Sequence, residues 1–179
     1  MSDDKHKSAP FPTDGNKLLL VIRHAKSSWE VGTLNDFERP LNERGKKDAP
    51  VMAKRLIDRK IMIDAFVSSP AKRAKKTAEL FCETYGKSED SILYVSKLYQ
   101  AEVDPFYQVV EQLDDFFNTV AIFSHNPGIT DFVNTLREDE VISNMPTGSV
   151  FAVQIHLKKW ADFRKAKKEF LFFDYPKLV

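Results

Sequence analysis

Five aliphatic residues in a row, Leu18-Leu19-Leu20-Val21-Ile22, stand between Lys17 and Arg23. The run is too short to span a bilayer. Because it is apolar at every position, it suits a strand buried on both faces. The chain then alternates. Leu41 to Lys60 reads as a helix, with Ala49, Met52, Ala53, Leu56 and Ile57 recurring at helical spacing. Gly45 and Pro50 are defects in it, and Pro50 predicts a later start or a kink. Ile63 to Ser68 is a second strand. Ser69-Pro70 then opens a helix, with Ser69 as N-cap and Pro70 at the first helical position. Its apolar stripe is Ala74, Ala78, Phe81 and Tyr85. Ile92 to Val95 is a third strand, Asp104 to about Phe117 a helix, Thr119 to Phe123 a fourth strand, and Pro127 to Leu136 a helix. Ser149 to Leu157 and Glu169 to Phe173 are late strands. This alternation predicts a three-layer α/β/α sandwich with a mostly parallel central sheet.

Residues 1–16 are polar, hold Pro10, Pro12 and Gly15, and are expected to form a flexible tail. Residues 17–179 are expected to form one domain, since 179 residues is an ordinary domain size and no later linker divides the chain. Lys and Arg number 27 against 26 Asp and Glu, a formal charge of +1. That balance argues against nucleic-acid binding through a broad cationic surface. Cys82 is the sole cysteine, which excludes an intrachain disulfide or a cysteine zinc cage. The charged start has no apolar signal region, and no run is long enough for a membrane span, so a cytoplasmic protein is expected.

In open α/β sheets, ligands collect beyond the C-terminal ends of the strands. Three such ends carry related chemistry. The first strand ends in Arg23-His24-Ala25-Lys26-Ser27, the second in Ser68-Ser69-Pro70 with Arg73 following, and the fourth in Ser124-His125-Asn126-Pro127-Gly128. If the strands are parallel neighbours, two Arg and two His converge beside helix N-termini. Guanidinium groups bind phosphoryl oxygens in bidentate fashion. A neutral imidazole, with an ordinary pKa of about 6.5, is a competent nucleophile. A second imidazole, cationic, would hold an oxygen as charge builds. Taken singly, each residue reads as an ordinary surface residue: Arg73 as a solvated helix position, His125 as a loop histidine.

Leu20-Val21-Ile22-Arg23-His24-Ala25-Lys26-Ser27 resembles the Arg-His-Gly signature of the histidine phosphatase superfamily, the phosphoglycerate-mutase-like fold. Ser69-Pro70-Ala71-Lys72-Arg73-Ala74 through Thr77-Ala78 resembles its second motif and Ser124 to Gly128 its third. Asp36-Phe37-Glu38-Arg39-Pro40-Leu41 and the short chain look most like the SixA-type phosphohistidine phosphatases. The resemblance implies a phosphatase with His24 as the phosphorylated nucleophile and Arg23, Arg73 and His125 completing the phosphate pocket. It implies Ser27 and Arg39 as substrate-binding residues, and no metal or organic cofactor. Two positions depart from the pattern. Ala25 replaces the usual Gly, harmless unless the backbone needs φ > 0. Gln100, in Leu98-Tyr99-Gln100, replaces the carboxylate acid of many relatives; Glu102 is the candidate substitute, with Asp36 and Asp104 behind it.

A phosphohistidine loses an imidazole, far less basic than an alkoxide, so a site without a dedicated acid still suits it. The expected substrate is phosphohistidine in a partner protein, with neither nucleic acid nor membrane as partner. A small phosphomonoester is the alternative substrate, and a weakly active phosphoryl-binding module the alternative class. Around the site, Trp29, Phe37 and the Ser28 to Arg39 loop are expected to form either a pocket rim or a packed loop, and Arg39 either a substrate contact or a surface ion pair.

Overall fold

The computed structural model describes residues 12–29 and 35–178. Most of the expected tail, residues 1–11, lies outside them. The elements are β1 (Lys17–Arg23), α1 (Glu43–Asp58), β2 (Ala65–Ser68), α2 (Lys72–Thr84), β3 (Ile92–Tyr94), α3 (Val103–Glu111), β4 (Thr119–Ser124), α4 (Gly128–Asn134), β5 (Val150–Ile155) and β6 (Lys168–Asp174). They form a six-stranded sheet in the order β3-β2-β4-β1-β5-β6. The pairs β1–β4, β2–β4 and β2–β3 are parallel, while β5 runs antiparallel to both β1 and β6. The fold is the mostly parallel α/β sandwich that the alternation predicts.

The aliphatic run of β1 is explained by its central place. Leu18, Leu20 and Ile22 point into one core layer, with Ala49, Met52, Ala53 and Leu56 of α1 and Ala78, Phe81 and Cys82 of α2. Leu19 and Val21 point into the other, with Phe106 and Val110 of α3 and Phe132 and Val133 of α4. All five are fully buried, and burying each contributes roughly 1.5–3 kcal/mol.

Two local expectations are corrected. Pro50 lies inside α1, which begins at Glu43 behind the Asn42 cap, whose side chain accepts from the Gly45 N–H at 2.9 Å. The helix therefore does not start late. Lys46, whose carbonyl loses the usual partner, is exposed. In the second case, Ser69 does not cap α2. The cap position is Ala71, without a side-chain bond, and Ser69 is spent elsewhere. Among the described residues no helix is long and apolar enough to cross a membrane.

Candidate functional site

The register of the sheet assembles the site. Arg23 and Ser124 are partners across the parallel β1–β4 ladder, as are Ser68 and Phe123 across β2–β4. One residue further on, the His24 N–H donates to Ser124 O at 3.1 Å and the Ser69 N–H to Phe123 O at 3.0 Å. His24, His125 and Ser69 thus leave three adjacent strands side by side. The two imidazole centroids lie 5.1 Å apart, tilted by 49°. Arg73, in the first turn of α2, reaches the same point. Its Nε donates to His24 Nε2 at 3.2 Å.

Close backbone approaches fix the loops around this centre. A Cβ on Gly128 would stand 1.7 Å from Ala101 O, so glycine lets the start of α4 press against the segment leading into α3. A Cβ on Gly45 would stand 2.2 Å from Lys26 O, so glycine likewise lets α1 support the loop after His24. Ala25 has no left-handed φ; among the described non-glycine residues only Lys60 and Gln100 do. The methyl in place of glycine is therefore accommodated, fully buried, with its N–H donated to Thr77 Oγ1 at 3.0 Å.

The histidines are held differently. His24 Nδ1 lies 2.8 Å from its neighbour's carbonyl, Ala25 O. Only a protonated Nδ1 makes that bond, which leaves a lone pair on Nε2. His125 Nε2 lies 2.7 Å from Ser69 Oγ, and its Nδ1 is buried with no hydrogen-bond partner among the described residues. Burial is the main cause that pushes His24 well below its ordinary value, with His125 adding to it. Burial, then Arg73, push His125 down to about 3. Both imidazoles are neutral near neutral pH in the empty site, so the expected cationic role for His125 requires a bound anion. Burial, and next the charge of Arg73, lower the pKa of Arg23 as well. Its Nη1 donates to Met145 O at 2.6 Å, while its Nε is buried without a partner.

A polar cluster covers the outer side. Asp36 lies in a single 3-10 turn, Asp36–Glu38. Arg73 Nη1 donates to its backbone carbonyl at 2.5 Å and Nη2 to its Oδ2 at 3.0 Å. Tyr99 OH donates to the same Oδ2 at 3.0 Å, and Arg39 Nη1 to Oδ1 at 2.9 Å. Burial pulls the Asp36 pKa up, but these donors together outweigh it and the net direction is down. Arg39 also donates to Ser27 Oγ and lies 3.5 Å over the ring of Trp29, which is 75% exposed.

The expected site residues Arg23, His24, Ser27, Arg39, Arg73, Glu102 and His125 all line one open pocket of about 970 Å³. They differ in depth. His24, Arg73, His125 and Ser27 are buried, whereas Glu102 is exposed on the wall before α3. Gln100 is on that wall too, with a positive φ of 51°. Trp29 lines this pocket, while Phe37 lies edge-on to Tyr99 and faces a neighbouring groove. Sequence reasoning missed two participants. Ser69 was read as a cap, and Tyr99 only as the neighbour of Gln100. Among the described residues no group of three or more His, Cys, Asp or Glu stands close enough to hold a metal.

A family model, histidine phosphatase superfamily (branch 1), matches residues 19–94, which include the first two motifs and not His125. An uncharacterized chloroplastic protein of Arabidopsis thaliana is 28% identical over 126 residues, 65% of this chain. The chain spans only 57% of that relative's length. Among solved structures, a chain assigned to phosphohistidine phosphatase SixA from Nakamurella multipartitia is similar at TM-score 0.76 and 23% identity, covering 91% of this chain and 98% of that one. A protein histidine phosphatase SixA complexed with tungstate is similar at TM-score 0.75 and 20% identity, covering 89% and 97%. At such identities these two structures speak to the fold.

Proposed function

We propose that the chain, whose residues 19–94 match the histidine phosphatase superfamily model, is a member of that superfamily and a phosphatase working through a phosphohistidine on His24. The observation that carries this is the imidazole of His24, whose Nδ1 is tied to Ala25 O and whose Nε2 meets Arg73. As the phosphoryl group enters, Arg73 Nε–H passes from His24 Nε2 to a phosphoryl oxygen; the freed Nε2 lone pair attacks phosphorus, a P–N bond forms, and the bond to the leaving group breaks with its electron pair leaving on that group. Water then attacks the same phosphorus, releasing inorganic phosphate and restoring neutral His24. Arg23, Arg73 and His125 hold the phosphoryl oxygens. The buried, unpartnered Arg23 Nε and His125 Nδ1 are the groups an oxyanion would satisfy. The relative bound to tungstate, a tetrahedral oxyanion, supports the same use of the fold.

The substrate that fits best is phosphohistidine in a partner protein, as in the SixA type. Its imidazole leaves without strong acid assistance, and the wall position that would carry an acid is Gln100. The mouth, rimmed by Arg39 and exposed Trp29, is open to a side chain presented by another molecule. A small phosphomonoester is the second reading, favoured by the Glu102 carboxylate on the pocket wall. Brief mixing with ³²P-labelled phosphohistidine peptide is expected to leave acid-labile label on the chain, absent in His24→Ala. A labelled His24→Ala chain would remove His24 from the mechanism, and faster turnover of alkyl phosphates than of the peptide would remove phosphohistidine as the substrate.

A further inference from the structure

Of the carboxylates that line this pocket, Asp36 is the one bonded to two of its guanidinium groups, those of Arg73 and Arg39. Each of the three Arg73 nitrogens makes one hydrogen bond, which leaves one further N–H on Nη1 and one on Nη2. Nε points at His24 Nε2, while Nη1 and Nη2 are both held by Asp36, one through its backbone carbonyl and one through Oδ2. Asp36 itself is braced from two further directions, by Tyr99 OH and by Arg39 Nη1. The two grips on Arg73 leave its guanidinium plane little freedom, and that plane is what aims Nε–H at the reacting nitrogen.

We propose that Asp36 is a positioning residue: held by Tyr99 and Arg39, it grips Arg73 so that its guanidinium is aimed at His24 Nε2, and its charge weakens the hold of the pocket on free phosphate. The inference rests on His24 being the nucleophile. Its physical content is a trade. A carboxylate beside an incoming dianion opposes binding, by about 1 kcal/mol at 4 Å even in water and more in a half-buried site. The same carboxylate fixes the donor that must meet the transferring phosphoryl group, and misplacing such a donor by 1 Å costs up to about 10²-fold. Removing Asp36 should therefore slow the reaction while tightening oxyanion binding, two effects of opposite sign that simple loss of structure does not produce. A proton-donor role is a different matter. The donors around Asp36 hold its carboxyl below the usual carboxylate range once they outweigh burial, so it is ionised at neutral pH and has no proton to give.

The test is Asp36→Asn, which keeps the backbone carbonyl and a neutral side-chain oxygen, with Tyr99→Phe as the milder variant that removes a single brace. Both are assayed with a series of aryl phosphates of graded leaving-group pKa and with orthovanadate as inhibitor. Asp36→Asn is expected to lower kcat by about tenfold to a hundredfold, equally for every leaving group. Vanadate should bind at least about fivefold tighter. Tyr99→Phe is expected to lower kcat less, again equally across the series. An unchanged kcat in Asp36→Asn, vanadate binding that is unchanged or weaker, or a loss that grows with leaving-group basicity would each overturn the proposal. Labelling of wild-type His24 is the separate control, since its failure would remove the nucleophile assignment whatever Asp36 does.

Discussion

Two buried imidazoles kept neutral make the protein sensitive to acid in a defined window. The unfolded chain binds a proton at each histidine near pH 6.5, whereas His125 in the folded site does so only at about 3. Between these values the unfolded state binds more protons, so stability rises with pH and falls as the solution is acidified. From pH 6.5 to pH 5 the His125 contribution falls by about 2 kcal/mol, at roughly 1.4 kcal/mol per pH unit. His24, lowered in the same direction by burial and by His125, adds to the loss. Asp36 is not involved, because its lowered carboxyl loses stability only below the ordinary carboxylate value of 3.8. For a chain of this size, 2 kcal/mol is about 4–8 °C in Tm.

The assay is thermal unfolding at pH 7 and pH 5 for the wild type and for His125→Asn, comparing the drop within each protein. The variant is expected to lose about 4–8 °C less than the wild type over that interval. A bound oxyanion favours protonation of both rings, so saturating vanadate should shrink the wild-type drop. Equal drops in the two proteins, without ligand, would refute the claim that burial keeps His125 neutral.

Two further outcomes follow from the same geometry. Ser69→Ala leaves His125 Nε2 buried without its 2.7 Å partner, so urea unfolding should show a loss of about 1–3 kcal/mol; Ser69→Thr should recover part of it, and an Ala variant as stable as the wild type would return Ser69 to a passive role. Gln100→Glu restores a carboxylate to the pocket wall, and turnover of an alkyl phosphate relative to an aryl phosphate should rise by about tenfold or more; an unchanged ratio would show that position 100 is out of reach of the leaving group.

What the sequence makes legible is what local pattern encodes. The Leu18–Ile22 run announces a central strand because a strand covered on both faces has no polar side to display. The three strand-end motifs announce the pocket because the parallel register carries His24, Ser69 and His125 off adjacent strands together. Long-range pairing is the part that stays hidden. Ser69-Pro70 reads as a helix start, and its hydroxyl is instead bound to an imidazole 56 residues away. Asp36 reads as a reserve candidate for the missing acid, while its partners Arg73 and Tyr99 lie 37 and 63 residues on. Pro50 reads as a break, yet the Asn42 cap before it and the apolar face of α1 around it keep the helix intact.

Neutral histidines beside three arginines also explain how such a pocket is tolerated when empty. Two imidazolium rings 5.1 Å apart, next to Arg23 and Arg73, would add repulsion that burial magnifies; deprotonation relieves it, and Asp36 pairs directly with the guanidinium groups of Arg73 and Arg39. What is left among the described residues is a small number of donors without a protein partner, Arg23 Nε among them, which an entering anion would satisfy. Binding then supplies the counter-charge that allows His125 to take up a proton, so its electrostatic strength rises as the phosphoryl group arrives. The site is thus least stable in the state that waits for substrate, and stabilisation by oxyanions should exceed what their contacts with Arg73 alone would produce.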